Sequence, residues 1–254
     1  MAIKVLMHGC CGRMGRAINA LCLEDDAVEI TCGVDPSDNT EGLKFPIFKN
    51  LNDVNVDFDV IIDFSHFSCI AGLFDFAVAN NKPVVCCTTG LTENDLKILD
   101  EASKKIPVFK SANMSVGMNI MVALCRKATK LLYNEGYDIE IVEAHHNQKL
   151  DAPSGTALMI ADAIKEEIED DIEYVYDRQS VRKKRSKTEI GISSIRGGNI
   201  VGEHDAMFIG GEEILKISHS AQTRTVFARG AVVAAKFLAD KAPGKYDMTN
   251  VIEL

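Results

Sequence analysis

The sequence lacks the long hydrophobic runs of a membrane protein. Its 254 residues contain no apolar stretch near the roughly 20 residues that a bilayer-spanning helix requires. The first residues, Met1 to His8, have neither a basic start nor a long apolar middle, so we expect a strand there and no signal peptide. With 46% apolar and 26% charged residues, the composition predicts a soluble globular protein without a membrane partner.

An excess of positive charge is also lacking. The formal net charge is −9, whereas binding to nucleic-acid phosphates needs a cationic face, so we expect no nucleic-acid partner. One basic run stands out, residues 182–187 with the sequence R-K-K-R-S-K. This run is either a solvated loop or a loop that attracts an anionic substrate or cofactor.

The eight cysteines form no CxxC pair, so neither a zinc pattern nor a disulfide framework follows from them. Two pairs, Cys10-Cys11 and Cys86-Cys87, are adjacent in the chain. Several cysteines lie inside apolar runs, which predicts reduced, buried thiols and a cytoplasmic protein.

The N-terminal residues follow the order of a dinucleotide-binding unit. An apolar run ending at His8 leads into a turn with glycines at 9, 12 and 15, then a helical pattern, then a strand that ends at Asp35. Such glycines let the backbone approach a pyrophosphate, the helix start favours its charge, and Asp35 stands where a ribose-binding carboxylate belongs. The spacing G-x-x-G-x-x-G departs from the standard G-x-G-x-x-G, so a plain connecting turn is the alternative.

The residues around Asp35 also bear on which cofactor binds. Asp35 is followed by Pro36, and no Arg or Lys lies nearby in the sequence to neutralise a 2′-phosphate. Because a carboxylate repels that phosphate, we expect NADH to be favoured over NADPH.

Strands and helices alternate through the first half of the chain. Further strands are predicted at Val60–Phe64, Pro83–Cys87 and Val108–Lys110, and Thr92 with Asp95 predicts a helix start. The alternation predicts an α/β fold with a Rossmann-type, doubly wound parallel sheet, which binds ligands at the carboxyl ends of its strands. Past residue 170 the pattern changes to short strands with Gly-Gly turns, which predicts a central α+β domain with a mixed, mostly antiparallel sheet.

The segment 143–157, E-A-H-H-N-Q-K-L-D-A-P-S-G-T-A, joins a predicted strand to a predicted helix. His145 and Lys149 offer protons near neutral pH, and Ser154 is the predicted N-cap of a helix whose first amides would bind a carboxylate. H-H-x-x-K is not a zinc pattern, so we expect no metal here. A structural histidine followed by a tight helix entry is the alternative interpretation.

The same segment closely resembles the E-x-H-H-x-x-K-x-D-A-P-S-G-T-A motif of the 4-hydroxy-tetrahydrodipicolinate reductase family, which acts in the diaminopimelate route to lysine. Residues 9–15 resemble its G-x-x-G-R-M-G turn and residues 88–90 its T-T-G. Residues 111–117 resemble its A-N-x-S-x-G segment and residues 195–204 its R-x-G-x-x-x-G-x-H segment. The resemblance extends over nearly the whole chain.

This resemblance implies a role for each matching residue. His145 would be the general acid/base and Lys149 a proton donor. His146, Gly155 and Thr156 would hold the carboxylates of a small dicarboxylate substrate. The nicotinamide cofactor, NADH or NADPH, would be lined by Gly9, Cys10, Cys11, Gly12, Arg13, Met14, Asp35, Cys87, Thr88, Thr89, Ala112, Asn113, Met114 and Ser115.

The family also implies a layout and a reaction. Residues 1–114 and 226–254 would form the dinucleotide-binding domain, and residues 115–225 the substrate-binding and oligomerisation domain of a homotetramer. Cys87 stands where the family usually has glycine, and Pro36 replaces a basic residue that some members use for a 2′-phosphate. The expected reaction is hydride transfer to a cyclic unsaturated dicarboxylate. The alternatives are another NAD(P)-dependent dehydrogenase of similar layout and a non-enzymatic NAD-binding protein.

Overall fold

The computed structural model describes residues 2–252 as two compact units. The first unit runs to Ser115 and resumes at Thr225, and the second is Val116–Arg224. In residues 2–252 no helix has both the length and the apolar character needed to cross a bilayer.

In chain order the elements are β1 (Ile3–His8), α1 (Arg13–Cys22), β2 (Val28–Val34), β3 (Ile47–Phe48), β4 (Val60–Asp63), α2 (Ile70–Ala79), β5 (Val84–Cys86), α3 (Glu93–Ser103), β6 (Pro107–Phe109), α4 (Val116–Leu132), β7 (Asp138–His145), α5 (Gly155–Lys165), β8 (Glu173–Val175), β9 (Glu189–Arg196), β10 (Gly202–Ile209), β11 (Ile214–Ala221), α6 (Thr225–Leu238), β12 (Gly244–Tyr246) and α7 (Met248–Val251).

The first unit is built on a seven-stranded parallel sheet with the strand order β12-β6-β5-β4-β1-β2-β3. Its central strands β4 and β5 are short and fully buried, and all their residues except Asp63 at the end of β4 are apolar, the pattern of a sheet covered by helices on both faces. The register sets His8 opposite Val34 and Asp63, so these strands end at one edge of the sheet. The predicted doubly wound sheet is confirmed, although the short edge strands β3 and β12 were not predicted.

The second unit is built on a five-stranded sheet with the strand order β11-β10-β7-β9-β8. β10 is antiparallel to β7 and β11, whereas β9 is parallel to β7 and β8. The expectation of a mostly antiparallel sheet was therefore wrong in its proportion. The physical reason is that β7 leads into α5 and not into a hairpin, and a helical crossover returns the chain in the parallel direction. Helices α4 and α5 pack on this sheet over a core that includes Ile141, Ile192 and Phe208.

The basic run 182–187 is partly structural. The Arg185 guanidinium donates hydrogen bonds to Asp138 Oδ1 at 2.7 Å, to Glu140 Oε1 at 3.2 Å and to the Ile139 carbonyl at 3.0 Å. Its side chain is only 19% exposed. Arg185 therefore fastens the loop to β7, so neither interpretation of the run from sequence holds for this residue.

Candidate functional site

The turn between β1 and α1 adopts a conformation that requires glycine. Gly9 has a φ of +82°, and a Cβ on it would lie 2.6 Å from the carbonyl oxygen of Phe64. A Cβ on Gly15 would lie 2.5 Å from the carbonyl oxygen of Gly9. Gly12 is the N-cap of α1, with no side-chain cap and no acidic residue in the first turn. The start of α1 is therefore shaped to receive an anion such as a pyrophosphate.

Asp35 is fixed beside this glycine-rich turn. Its Oδ2 accepts a hydrogen bond from the Cys11 amide at 2.9 Å, and its Oδ1 accepts one from the Ser37 amide at 2.9 Å. The carboxylate is thereby held at the end of β2, where a dinucleotide ribose needs an acceptor. The glycine-rich turn and this carboxylate together fit a nicotinamide dinucleotide.

A cation that sequence reasoning missed lies against the loop after β2. Lys49 Nζ is 3.1 Å from the Pro36 carbonyl oxygen, 2.9 Å from that of Ser37, and paired with Asp38 at 2.5 Å. The expectation that no lysine is nearby was wrong, because β3 pairs with β2 and carries Lys49 back to this loop. Since Asp38 and two carbonyls already bind the ammonium, it offers little charge to a 2′-phosphate.

Thr88 is held by a buried network at the same edge of the sheet. Its Oγ1 donates to Asp63 Oδ2 at 2.7 Å, and His8 Nδ1 lies 2.9 Å from Asp63 Oδ1. Burial raises the pKa of Asp63, but hydrogen bonds from His8 and its other partners outweigh burial and lower it. Lys110 Nζ donates to the Thr88 carbonyl at 2.7 Å. Both the side chain and the backbone of Thr88 are therefore fixed.

The other predicted cofactor residues follow β1, β5 and β6 at this edge. Cys87 is 7% exposed, and burial raises the pKa of its thiol. The Ser115 amide donates to Asn113 Oδ1 at 2.8 Å, and a Cβ on Gly230 would overlap the Met114 carbonyl oxygen, so α6 packs directly on this segment. The predicted residues that face solvent are Gly12, Arg13, Thr89 and Ala112.

In the second unit, His145 is buried against a carboxylate of its own strand. Its Nδ1 lies 2.6 Å from Glu143 Oε2, and Glu143 is fully buried. Residues two apart on a strand point to the same face, which brings the two side chains together. An ionised carboxylate only accepts hydrogen bonds, so neutral His145 carries its proton on Nδ1 and leaves Nε2 as an acceptor. Burial lowers the pKa of His145, and Glu143 opposes that shift.

The Glu143 carboxylate is bonded from three segments of the chain. Arg196 donates from Nη1 to Oε2 at 2.9 Å and from Nη2 to Oε1 at 2.7 Å, and the Ser154 amide donates to Oε1 at 3.1 Å. Burial raises the pKa of Glu143, but the hydrogen bonds from Arg196 and His145 outweigh it and bring the pKa down to about 2. The carboxylate is therefore ionised at neutral pH and fixes the ring of His145.

A second histidine, His204 on β10, packs beside His145 with ring centroids 5.2 Å apart. Its Nε2 lies 3.2 Å from Ser154 Oγ, which also caps α5 by accepting from the Ala157 amide at 3.1 Å, as predicted for the N-cap. Burial, with a smaller effect of His145, lowers the pKa of His204 to about 4, so the ring is neutral at pH 7. A Cβ on Gly202 would lie 3.1 Å from His145 Nε2, so glycine leaves room at that nitrogen.

Lys149 lies in the turn after β7 and pairs with Asp151 at 2.9 Å, with 22% of its side chain exposed. Its charge lowers the pKa of His145, so the two side chains are close enough to interact. Arg196 Nη2 donates to the Asp151 carbonyl at 2.6 Å, which ties this turn to β9. The structure thus brings His145 and Lys149 into one cluster.

The predicted substrate contacts lie at the same end of β7. His146 follows His145 and is half-buried, and Gly155 and Thr156 open α5. The first turn of α5 has no acidic residue, and apart from the adjoining residues and backbone of α5 itself, no described part of the chain lies within 4 Å of a Cβ built on Gly155. A helix start with open space beside it suits a carboxylate.

Sequence analysis gave no role to Glu143, Arg196 or His204, although all three lie in segments it singled out. The alternation of strand residues predicts that Glu143 shares a face with His145, and that signal was present. Arg196 and His204 come from β9 and β10, and only the pairing of those strands with β7 brings them to this cluster.

A doubly wound sheet with a glycine-rich turn and a terminal carboxylate, in a chain whose other unit holds a buried ionisable cluster, defines a Rossmann-type NAD(P)-dependent oxidoreductase. The family model described as Dihydrodipicolinate reductase, N-terminus, matches residues 3–114, and the one described as Dihydrodipicolinate reductase, C-terminus, matches residues 117–252. The chain belongs to the dihydrodipicolinate reductase family. The prediction of the family, and with it of a reductase, is confirmed.

Curated relatives cover the full length. The chain is 50% identical to the 4-hydroxy-tetrahydrodipicolinate reductase of Caldanaerobacter subterraneus subsp. tengcongensis, over 100% of this chain and 99% of the relative. It is 45% identical to the enzyme of the same name from Clostridium botulinum, over 98% of each chain. Among solved structures, dipicolinate-bound dihydrodipicolinate reductase from Paenisporosarcina sp. TG-14 has a TM-score of 0.82 at 23% identity, covering 99% of this chain and 100% of that one. At that identity the structural likeness concerns the fold, and the predicted fold class is confirmed.

Proposed function

We propose that this member of the dihydrodipicolinate reductase family transfers a hydride from NADH to C4 of a cyclic unsaturated dicarboxylate, with His145 and Lys149 as the groups that transfer protons. The observation that supports these roles is the buried His145 ring, 2.6 Å from an ionised Glu143 and within electrostatic reach of Lys149. A histidine in that setting can take a proton at Nε2 and pass it on, because the Glu143 carboxylate stabilises the imidazolium.

Residues of the first unit would hold the cofactor. The glycine-rich turn and the start of α1 suit its pyrophosphate, Asp35 suits its ribose, and Thr88 is fixed at the same edge of the sheet. The reduced nicotinamide ring supplies the hydride when it is bound. Cys87 would line that site, as would the segment 112–115.

Residues of the second unit would bind the dicarboxylate and complete the reaction. The start of α5 at Gly155 and Thr156, together with His146, would hold its carboxylates. Addition of hydride to C4 leaves an enamine that takes a proton at C3. The Lys149 ammonium is a donor for that proton. His145 is another once Nε2 is protonated, because Glu143 stabilises the imidazolium through Nδ1.

The assay generates substrate in place from pyruvate and aspartate semialdehyde with a dihydrodipicolinate synthase, and it follows the absorbance of NADH or NADPH. We expect oxidation of the cofactor only when pyruvate, aspartate semialdehyde, the synthase and the reductase are all present. Binding of NADH without any oxidation would contradict the proposed function and favour a non-catalytic NAD-binding protein. Oxidation with aspartate semialdehyde alone would favour a different dehydrogenase.

The proposed NADH preference depends on Asp35, whose carboxylate is bonded to two amides and would accept from a ribose hydroxyl. Replacement Asp35→Asn removes the charge and keeps the shape. We expect it to weaken NADH binding about 10-fold, which is a loss of about 1.4 kcal/mol of binding free energy. We also expect the preference for NADH over NADPH to become smaller. Fluorescence titration with each cofactor measures both. A wild-type enzyme that binds NADPH more tightly than NADH would contradict this part of the proposal.

We further propose a cytoplasmic homotetramer assembled through the sheet of the second unit. Large apolar side chains are exposed on its strands, with Ile214 60%, Leu215 44% and Ile195 52% accessible in the single chain. Ile214 and Leu215 lie on the edge strand β11, and exposed apolar residues on an edge strand favour a subunit interface. Light scattering after size exclusion should give four copies, and Ile214→Asp should shift the mass downward. A monomeric wild-type protein would contradict the assembly.

A further inference from the structure

Three metal-ligating atoms converge in the glycine-rich turn. The Sγ atoms of Cys10 and Cys11 are 3.9 Å apart, and a carboxylate oxygen of Asp35 lies within 4.8 Å of both. The cysteines follow β1 and Asp35 follows β2, so the parallel pairing of these strands brings the three ligands together. The Cys11 amide is also bonded to Asp35 at 2.9 Å, which fixes one ligand against another.

The spacing of the two thiols suits a tetrahedral zinc ion. Zinc binds a thiolate at about 2.3 Å, so two thiolates at a tetrahedral angle are about 3.8 Å apart. The observed separation of 3.9 Å matches that spacing without movement of the backbone. A carboxylate oxygen is a ligand that zinc accepts, and a water can take the fourth position because Cys11 is only partly buried.

We propose that Cys10, Cys11 and Asp35 form a site for zinc, and that zinc bound there excludes the nicotinamide cofactor. Both thiols lose a proton to become ligands, the metal keeps its oxidation state, and no bond in the chain is broken. Asp35 cannot accept from a ribose hydroxyl while it binds the ion.

The exclusion of cofactor rests on the proposed function, whereas the metal site itself does not. The site would let thiophilic cations regulate the enzyme by competition, because any ligand that binds one form of the protein opposes ligands that bind another. The expected kinetic signature is a rise in the apparent KM for NADH with little change in kcat.

The first test titrates the reduced protein, without cofactor, with Cd²⁺ as a spectroscopic substitute for Zn²⁺. A thiolate-to-metal charge-transfer band in the ultraviolet should saturate at one equivalent. Cys11→Ser should weaken binding at least ~10-fold by loss of one ligand. This variant keeps the fully buried Cys10, so it should fold. Cys69→Ser is the matched control, because Cys69 is the other partly buried thiol and lies outside the turn. Equal binding by wild type and Cys11→Ser would overturn the site.

The second test titrates NADH fluorescence with and without one equivalent of Zn²⁺. Zinc should weaken NADH binding at least ~10-fold in wild type and in Cys69→Ser, and should have no effect in Cys11→Ser. Excess NADH should likewise remove the Cd²⁺ band. Tight metal binding that leaves the NADH affinity unchanged would overturn the exclusion. If NADH fails to bind even without metal, the proposed function fails, and the Cd²⁺ band alone still decides the metal site.

Discussion

The candidate sites of the two units are built from different kinds of chemical group. In the first unit the site consists mainly of backbone: a glycine with positive φ, a helix start, and a carboxylate held by two amides. In the second unit it consists of ionisable side chains in a buried cluster around Glu143. A backbone site depends on chain conformation, whereas a cluster of charges depends on every partner being present. We therefore expect variants of the site in the second unit to change turnover, stability and pH response, and variants of the site in the first unit to change cofactor binding.

The largest expected effect is on turnover. Replacement of His145 by Gln or of Lys149 by Ala should lower kcat about 10²–10⁴-fold, because each removes one placed proton-transfer group. The NADH dissociation constant should stay unchanged, since both residues belong to the second unit. Steady-state kinetics and NADH fluorescence provide the two measurements. Lys130→Ala, an exposed lysine on α4, is the control, and full turnover in either test variant would remove the assigned role.

The next effect is on stability. Arg196→Gln leaves the buried Glu143 carboxylate without its bidentate partner, so the free energy of unfolding should fall by about 3–5 kcal/mol. The double variant Glu143→Gln/Arg196→Gln removes the charge as well and should recover part of that loss. Urea unfolding followed by far-ultraviolet circular dichroism measures this effect. The exposed Arg182→Gln should change stability by no more than about 0.5 kcal/mol. An Arg196→Gln protein as stable as wild type would contradict the charge-pair argument.

Acid should destabilise the second unit through His204. Its pKa is lowered from 6.5 to about 4, so below pH 6.5 the unfolded chain binds a proton that the folded chain does not bind until about pH 4. The contribution of neutral His204 to the free energy of unfolding is fully present above pH 6.5. It falls by about 3 kcal/mol as the pH is lowered from 6.5 to about 4. The variant His204→Gln should remove this pH dependence of the free energy of unfolding. The variant His66→Gln should keep it, because His66 is an exposed histidine of the first unit.

The Glu143 carboxylate affects the free energy of unfolding in a separate and lower range of pH. Its pKa is lowered from 4.5 to about 2, so its contribution is present above pH 4.5 and is lost as the pH falls towards 2. Urea midpoints measured from pH 7.5 down to the acid limit separate the two groups. An identical pH dependence for wild type and His204→Gln would show that His204 is not buried in its neutral form.

The smallest effect belongs to the first unit and concerns a helix cap. Thr92 Oγ1 accepts from the Asp95 amide, and Asp95 Oδ2 accepts from the Thr92 amide at 2.8 Å. Thr92→Ala should cost about 1 kcal/mol of stability, because it leaves the Asp95 amide without its partner. Thr92→Ser keeps the hydroxyl and should match wild type, with NADH binding unchanged in both. A loss of turnover in Thr92→Ala at full stability would contradict a purely local effect.

Local sequence patterns predicted much of the first unit. Short apolar runs followed by glycine or polar residues placed β1, β2, β4 and β5 correctly, because strands buried on both faces need apolar side chains throughout. The same reasoning placed the edge of the sheet at which Asp35 and Thr88 lie. It did not place Lys49, since pairing of the two-residue strand β3 with β2 left no mark on the sequence.

Local patterns predicted less of the second unit. Past residue 170 the pattern indicated only short strands, whereas β10 runs through eight residues, from Gly202 to Ile209, because Ala206 and Phe208 continue its buried face. The role of Arg185 was missed because its partners on β7 lie more than 40 residues earlier in the chain. Charge partners at such a separation follow from strand pairing and not from spacing.

The sequence by itself determined the alternation of strands and helices, the glycine-rich turn, and the motif of residues 143–157, and these identify the family. The reason is that backbone conformation and short-range side-chain patterns are encoded by neighbouring residues. Only the tertiary structure decided that Arg196 and His204 surround Glu143 and His145, and that two adjacent cysteines meet Asp35. Those groups come from strands far apart in the chain, and the pairing of strands in a sheet sets which of them come within hydrogen-bonding or metal-binding distance.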